Sequence, residues 1–490
     1  MGWFNTDKTP KREGSRQVVV SGPVLDGEPS DSRSAGGLPP PTLAVEVVPV
    51  NTVDPAEDDN GRFLLLKRRL HQEVVGAIDM AQMRSLSDLE LRDEIFRRAT
   101  AICRQDADLR NLKDREKLIE QVMNEAFGYG PLEELMADSE VSDILINGPR
   151  QIYVEKRGQL YLSKVAFHDE NHLMHILQRV IAPAGRRIDE NSPLVDARLP
   201  DGSRLNAVIR PLALNGPLVS IRRFGARPLT TADLLRNGSL TPEMLEFLGA
   251  CVKARVNIVI SGGAGGGKTT LLNCLSKYIH ESERIATIED AAELMLQQPH
   301  VAKMEARPST TDGVRDYSIR DLVRNSLRMR PDRIIIGECR GAEALDMLQA
   351  MNTGHEGSLT TIHANTPRDA LSRLEMMVGV GSDLPMWVIR KQIASAIQVI
   401  IQIARLPGGQ RKVIKISEIT GIQTDVIMMH DIFEYVQTSV DENRSVQGYF
   451  QATGMRPECR DKLIANGIHL PIELFEARRL LTQRERETNG

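Results

Sequence analysis

The chain has 490 residues, of which 41% are apolar, so it is long enough for about three domains with buried cores. It carries 62 Lys and Arg against 66 Asp and Glu, a formal net charge of −4, and only 4% of its residues are aromatic. Neither the charge nor the aromatic content favours nucleic-acid binding, and no nucleic-acid partner is expected. Five cysteines stand singly without a Cys-x-x-Cys pair, which is typical of reduced thiols and argues against structural zinc.

The first 127 residues divide by composition. Residues 1–60 are rich in Ser, Pro, Gly and clustered charge, which predicts a disordered tail. Between 61 and 127, apolar residues such as Ile95, Leu118 and Val122 recur at helical spacing, which predicts a bundle of amphipathic helices. No apolar run reaches the ~18 residues of a membrane-spanning helix and the sequence opens without a signal-peptide core, so a cytoplasmic location is predicted.

Short strand patterns dominate residues 128–230. A Gly-Tyr-Gly-Pro stretch at 128–131 interrupts the helical pattern, and a helical stretch follows at 172–181. Around it lie strand-like segments at 144–146, 151–154, 160–162, 207–209 and 218–221. This mixture predicts a small α+β domain.

From 231 to 423 apolar strands alternate with helices. Thr241 and Pro242 predict the N-cap and first turn of a helix. Strand patterns then lie at 256–260, 284–288 and 333–336, and helical patterns at 320–328 and 342–351. Such alternation predicts an α/β fold with a parallel, doubly wound sheet.

Two strand patterns close this region. Segments 399–403 and 412–416 flank the turn residues 407–410, which predicts a hairpin. Residues 424–490 are interpreted as a C-terminal extension that ends in a charged helix over 474–487.

A glycine-rich loop between a predicted strand and a predicted helix is the strongest functional signal. Residues 262–270 contain the pattern G-x-x-x-x-G-K-T. In such a loop the backbone N–H groups converge on phosphate oxygens, Lys268 reaches the β- and γ-phosphates, and the Thr269 hydroxyl ligates Mg²⁺. The predicted cofactors are therefore ATP and Mg²⁺, held by Gly262, Gly263, Ala264, Gly265, Gly266, Gly267, Lys268, Thr269 and Thr270.

Glu338 is the candidate for activating the attacking water. It follows the apolar residues 333–336 at the carboxyl end of a predicted strand, which is where ligands of open α/β sheets bind. The alternative is a solvated glutamate that merely follows a core strand.

Two further polar stretches follow predicted strands. Glu289, Asp290 and Glu293 are candidates for binding Mg²⁺ through water or for positioning the nucleophile, although acidic residues at such a place also cap helices. His363 stands in the polar stretch 357–365 and is either a γ-phosphate sensor or an ordinary core or surface histidine.

Arginines are abundant around these stretches. Arg320, Arg324 and Arg328 share one face of a predicted helix, where they could line an oligomer interface that faces phosphate. Others, including Arg204 and Arg222, lie in the predicted α+β domain. The sequence alone does not separate an arginine finger from ordinary surface cations.

Four stretches resemble, in order and spacing, the nucleotide-site boxes of secretion ATPases of the type II/type IV superfamily. They are residues 262–270, 288–290, 333–338 and 357–365. Within this superfamily the chain looks most like the CpaF-type ATPase that powers assembly of tight-adherence (Flp/Tad) pili, through residues 141–148, 193–204 and 220–224. The resemblance covers about residues 62–475. Gly266 departs from it, since serine often stands there, and the lack of a paired-cysteine zinc module favours the tight-adherence branch.

The resemblance implies a RecA-like P-loop ATPase domain at 231–423 that works in a homohexameric ring. It matches Glu338 to the catalytic Walker-B glutamate, Glu289 and Asp290 to an acidic box with Asp290 at the metal, and His363 to the histidine-box residue. It also matches Arg204 and Arg222 to positions that contact phosphate, carried by a smaller domain that closes over the nucleotide.

The implied partners are inner-membrane pilus platform proteins, and the implied location is cytoplasmic and peripheral at the inner membrane of a bacterium. Two alternatives stay open. A conjugation or type IV secretion ring ATPase shares the chemistry but moves another cargo. A RecA-like nucleic-acid motor shares the loop and the acidic strand, but the net charge and the few aromatic residues argue against it.

Overall fold

The computed structural model describes most of the chain from residue 70 onward. The described ranges are 70, 88–105, 112–156, 158–223, 229–307, 316–441 and 444–489. The tail predicted over 1–60 lies outside the described residues, as does much of the segment predicted as a helical bundle. Among the described residues, no helix combines the length and the apolar character needed to cross a bilayer.

Two amphipathic helices open the described part of the chain, α1 (Asp88–Gln105) and α2 (Leu112–Phe127). They contact each other, and Ile95 of α1 and Leu118 and Val122 of α2 are buried, as the helical spacing predicts.

A six-stranded antiparallel sheet follows, in the strand order β3-β2-β1-β6-β5-β4. Its strands are β1 (Val141–Asn147), β2 (Ile152–Lys156), β3 (Gln159–Leu162), β4 (Leu194–Arg198), β5 (Arg204–Val208) and β6 (Leu218–Arg222). A short helix, α3 (Glu133–Ala137), precedes the sheet, and α4 (Glu170–Ile181) buries Leu173 and Ile176 in the same core as Ile144 and Ile146 of β1. Strands β4 to β6 alternate buried and exposed residues, so only one face of the sheet is apolar. The other face is available for charged side chains.

A ten-stranded sheet forms the larger part, in the order β16-β15-β14-β13-β12-β7-β11-β10-β8-β9. Its parallel strands are β7 (Ile258–Gly262), β8 (Ile285–Glu289), β9 (Val301–Glu305), β10 (Arg333–Cys339), β11 (Leu359–Ile362) and β12 (Val399–Arg405). Its antiparallel strands are β13 (Arg411–Gln423), β14 (Val426–Val440), β15 (Val446–Ala452) and β16 (Arg478–Leu480). The predicted α/β sheet and the hairpin between β12 and β13 are confirmed.

Helices cover both faces of this sheet. They are α5 (Thr231–Arg236), α6 (Pro242–Lys253), α7 (Lys268–Ser276), α8 (Ile319–Ser326), α9 (Glu343–Asn352), α10 (Pro367–Gly381) and α11 (Met386–Ala396). On β7, Ile258 and Ile260 join the core cluster that contains Phe247 of α6, whereas Val259 joins the cluster that contains Leu348 of α9. A strand buried on both faces is typical of a parallel sheet wound with helices. The hydroxyl of Thr241 accepts the backbone N–H of Met244, so the predicted N-cap of α6 is also confirmed.

The predicted helix over 474–487 is wrong in its first half. Arg478–Leu480 forms the strand β16, which pairs with β15, and Leu480 is fully buried. Burying this leucine in a sheet outweighs the helical propensity of its charged neighbours. Short helices lie on either side of this strand, α12 (Arg460–Ala465) before it and α13 (Gln483–Asn489) after it.

Candidate active site

The glycine loop joins the end of β7 directly to the start of α7. Gly265 and Gly267 have φ angles of +64° and +96°, in the left-handed region that favours glycine. A Cβ at Gly262 would lie 2.4 Å from the backbone oxygen of Ile403 on the neighbouring strand β12. The loop therefore needs glycine at these positions, and its N–H groups lead into the N-terminus of α7.

Lys268 lies at the base of this loop. Its Nζ donates to the backbone oxygens of Gly262 and Gly263, both at 3.0 Å, and lies 3.2 Å from Nε2 of His363. Burial lowers the pKa of Lys268, and the nearby Glu338 partly offsets that effect. The ammonium group is thus held where a phosphate on the loop would meet it.

The predicted carboxylates lie together at one edge of the sheet. Glu289 ends β8 and Glu338 lies near the end of β10, and these two strands are parallel neighbours. Both line a cleft beside the loop. The residues that line the cleft are Arg204, Thr269, Glu289, Asp290, Ala291, Glu293, Gly337, Glu338 and Arg340.

Glu289 is almost fully buried, and its two carboxylate oxygens differ in their hydrogen bonds. Oε1 accepts the backbone N–H groups of Glu293 and Leu294, each at 2.8 Å, and so holds the loop that follows β8. Oε2 is buried and has no hydrogen-bond partner among the described residues. Burial raises the pKa of Glu289 to about 7. Sequence reasoning placed this residue at the site but did not predict its contacts with the loop.

Glu338 lies between His363 and Arg340. Its Oε1 lies 3.1 Å from Nε2 of His363, and its Oε2 accepts Nη2 of Arg340 at 2.8 Å. Burial alone would raise the pKa of Glu338, but Arg340, His363 and Lys268 together outweigh burial and the pKa is lowered. Burial and the charge of Lys268 lower the pKa of His363, which favours the neutral ring. Lys268, His363 and Glu338 are therefore adjacent, although they are far apart in sequence.

A row of charged residues crosses the smaller sheet on one face. Strand pairing places Arg204 opposite Arg222, Arg222 opposite Asp143, and Asp143 opposite Glu155. Arg204 lines the cleft, and the charge of Arg222 influences both Lys268 and Glu293. The two arginines singled out from the smaller domain thus lie beside the cleft of the larger one.

The arginines of α8 have a different arrangement. Nε of Arg320 lies 2.7 Å from Oδ2 of Asp346 on α9, and Nε of Arg324 lies 2.8 Å from Oδ1 of the same residue. Both arginines therefore have a partner within the chain, whereas Arg328 lies beyond the end of α8 and is exposed, so the predicted shared helix face does not include it. These contacts join two helices and do not reach the cleft.

The family comparison agrees with this geometry. The family described as "Type II/IV secretion system protein" matches residues 125–454, which include every strand of the two sheets except β16. The chain belongs to this family.

Relatives of this secretion family carry transfer and secretion names. A putative conjugal transfer protein of Mycobacterium tuberculosis is 37% identical over an alignment of 302 residues, with 60% of this chain and 86% of that protein covered. The type IV secretion system protein VirB11 of Bartonella henselae is 30% identical over an alignment of 315 residues, with 57% of this chain and 88% of that protein covered.

The chain also matches solved structures. The VirB11 ATPase of the Brucella suis type IV secretion system, in complex with sulphate, is 27% identical, with 60% of this chain and 97% of that one covered and a TM-score of 0.32. The pilus retraction motor PilT with bound ADP is 23% identical, with 57% and 80% covered and a TM-score of 0.42.

Sequence reasoning did not single out Arg340, which also lines the cleft. Arg340 stands two residues after Glu338, and its Nη1 also lies 3.0 Å from Oδ2 of Asp290. The spacing was visible in the sequence, because a residue two positions after a strand-end carboxylate points to the same side of the strand. The contact with Asp290, which is fifty positions away, had no sequence signal.

A contact between the two sheets was also missed. Glu155 of β2 lies 3.6 Å from Arg405 and 3.8 Å from Arg411, which flank the hairpin between β12 and β13. Nε of Arg411 donates to the backbone oxygen of Gly265 at 2.8 Å. Nη2 of Arg405 donates to the backbone oxygen of Gly158. Arg411 therefore connects the row of charged residues on the smaller sheet to the glycine loop.

The residues of the cleft fit a nucleotide triphosphate with a divalent cation. The loop supplies backbone N–H donors and the ammonium group of Lys268 for phosphate. Thr269 and Asp290 on the cleft wall offer hydroxyl and carboxylate oxygens, the ligands that Mg²⁺ prefers. The unpartnered Oε2 of Glu289 is a further acceptor in the same wall.

Proposed function

We propose that this chain hydrolyses ATP and converts the hydrolysis into movement within a bacterial secretion or pilus machine. The observation that carries the proposal is the meeting of the glycine loop and Lys268 with Glu338 and His363 around one cleft, beside Arg204 from the other sheet. Each group has a role that phosphoryl transfer requires.

The roles follow from position. Lys268 and the loop N–H groups bind the β- and γ-phosphates. Glu338 orients and deprotonates the attacking water. His363 lies between Lys268 and Glu338 and senses the γ-phosphate through both. Thr269 and Asp290 would hold Mg²⁺, which neutralises charge on the phosphates when bound.

Arg204 and Arg222 supply positive charge from the smaller sheet. Binding of a polyanion in the cleft attracts both arginines, so it draws the smaller sheet toward the larger one. We propose that this closure is the mechanical step, and that it operates in a homohexameric ring.

We infer further that the machine is a tight-adherence pilus, as the CpaF-like stretches 141–148 and 193–204 suggest. The chain then acts in the cytoplasm, bound peripherally at the inner membrane through pilus platform proteins. The conjugation or type IV secretion alternative has partial support from the names of the relatives from Mycobacterium tuberculosis and Bartonella henselae.

The site is tested by two substitutions and a control. Lys268→Ala removes the phosphate-binding ammonium and should abolish nucleotide binding and turnover. Glu338→Gln should still bind ATP but lose about 100-fold or more in kcat, because the base is lost while the phosphate loop remains. Glu246→Gln, on the exposed side of α6, is the control and should behave as wild type. Wild-type turnover by Lys268→Ala would refute the site.

The choice between machines is tested in cells. Deleting the gene in its own bacterium and restoring it with wild type or Glu338→Gln should switch surface pili on and off if the tight-adherence proposal holds. Loss of plasmid transfer or of protein export with intact pili would favour the alternative.

A further inference from the structure

Arg340 joins the two acidic stretches of the cleft. Its Nη2 donates to Oε2 of Glu338 at 2.8 Å, and its Nη1 donates to Oδ2 of Asp290 at 3.0 Å. Because β8 and β10 are parallel neighbours, these carboxylates approach one another at the same edge of the sheet. One guanidinium thus bridges the ends of two strands whose carboxylates the proposed function assigns to water and to metal.

This bridge occupies one oxygen of the group that must bind water. Oε2 of Glu338 accepts from Arg340, whereas Oε1 is buried 3.1 Å from Nε2 of His363 and has no hydrogen-bond partner among the described residues. A carboxylate oxygen that accepts a guanidinium N–H is poorly placed to accept a proton from water. Arg340 therefore keeps Oε2 of Glu338 from acting on water.

Arg340 is also able to move away from these two carboxylates. About half of its side chain is exposed, and it lines the cleft together with Thr269 and Arg204. A guanidinium has five N–H donors and binds phosphate oxygens in bidentate fashion. The terminal phosphate of a triphosphate carries more negative charge than either carboxylate, so it competes for the same donors.

We propose that Arg340 is a positioning residue that distinguishes nucleoside triphosphate from diphosphate: it holds Glu338 and Asp290 while no γ-phosphate is present and moves to the γ-phosphate when a triphosphate binds. The transfer frees Oε2 of Glu338 for water. This inference rests on the proposed ATPase function and assigns a role to a residue outside its nucleotide loop, acidic box and histidine box.

The test compares triphosphate with diphosphate binding. Fluorescent methylanthraniloyl derivatives of AMP-PNP and of ADP are titrated into full-length wild type, Arg340→Gln and Arg340→Lys. In Arg340→Gln the affinity for the AMP-PNP derivative should fall about tenfold while the affinity for the ADP derivative changes less than about twofold. Arg340→Lys keeps the positive charge but lacks the paired N–H donors of the guanidinium. It should therefore bind the AMP-PNP derivative more tightly than Arg340→Gln but less tightly than wild type.

Arg324→Gln is the matched control. Arg324 is as exposed as Arg340 and also bonds a carboxylate, Asp346, but outside the cleft. It should leave both affinities unchanged. In turnover, Arg340→Gln should raise KM for ATP about tenfold and change kcat less than about threefold, because Glu338 remains in place.

Equal loss of affinity for the two nucleotides would overturn the proposal, since a merely structural arginine affects both. A collapse of kcat with unchanged KM would also overturn it, because Arg340 would then be a catalytic group and not a sensor. Failure of the ATPase proposal is separable: it shows as absent turnover in wild type or as wild-type behaviour of Lys268→Ala, whatever the binding ratio of Arg340→Gln.

Discussion

Glu289 illustrates how one side chain serves both the fold and the site. Its Oε1 holds the loop after β8 through two backbone N–H groups, while its Oε2 is buried without a partner among the described residues in the cleft wall. A Cβ at Gly337 on the adjacent strand would lie only 2.8 Å from Cγ of Glu289, so the strands close tightly around it. The carboxyl therefore has little access to water, which explains its raised pKa.

That burial predicts a pH-dependent stability. The folded chain raises the pKa of Glu289 from 4.5 to about 7, so it binds the proton more tightly than the unfolded chain. The contribution of this group to stability is therefore greatest below pH 4.5 and is lost as the pH rises to about 7. Glu289→Gln keeps the acceptor for both N–H groups but cannot ionise, so at pH 8 it should be more stable than wild type by about 2 kcal/mol.

The measurement is thermal unfolding of nucleotide-free protein between pH 4.5 and 8. The stability curves of wild type and Glu289→Gln should diverge as the pH rises. Glu246→Gln, at an exposed position of α6, is the control and should follow wild type throughout. Parallel curves for wild type and Glu289→Gln would show that Glu289 is ionised at all these pH values, contrary to the prediction.

At the scale of elements, the glycine loop depends on the strand beside it. Gly262 ends β7 opposite Ile403 of β12, and a Cβ there meets a backbone oxygen that cannot move without breaking the strand pairing. At Gly263, the next residue, an added Cβ would have no neighbour within 4 Å among the described residues. Packing against β12 therefore requires glycine at 262, whereas packing places no such requirement on 263.

This contrast gives a matched pair of variants. Gly262→Ala should be destabilised by about 1–3 kcal/mol, as expected for overpacking against backbone. Gly263→Ala should unfold within about 0.5 kcal/mol of wild type, as expected for a substitution into open space. Chemical denaturation of the two variants and wild type measures the difference. Equal stability of both variants would mean that β12 yields at Ile403.

At the scale of the whole molecule, the site is built from two sheets that meet at opposite sides of the nucleotide loop. Arg204 reaches the cleft from one side, and Glu155 contacts Arg405 and Arg411 behind the loop. Arg198 of β4 also lies 3.2 Å from Glu305 of β9. Under the proposed closure, movement of the smaller sheet would act on both the cleft and the glycine loop.

The proposed ring is tested by size. Light scattering of the full chain with AMP-PNP and Mg²⁺ should show a particle about six times the 54.5 kDa of one chain, because nucleotide binding between lobes favours the assembled state. Glu338→Gln with ATP should give the same particle, since it binds without turnover. A monomer at every protein concentration, with or without nucleotide, would contradict the ring.

Much of the site was predictable because its chemistry is local in sequence. The loop with Lys268 and Thr269 is a contiguous pattern, Glu289 and Glu338 lie at the carboxyl ends of apolar strands, and His363 directly follows β11. Parallel strands bring their carboxyl ends to one edge, so a strand pattern and a polar residue after it are enough to predict a shared site. The α/β fold followed from the same alternation of strands and helices.

The tertiary structure alone decided which distant charges meet. Nothing in the sequence pairs Arg340 with Asp290, or Glu155 with Arg411, because these contacts depend on strand order, register and the approach of two sheets. The strand β16 is a similar case, since its pairing with β15 outweighs a local helical pattern. Local patterns specify which groups a chain carries to the ends of its strands, whereas burial and strand pairing specify the neighbours that those groups find there.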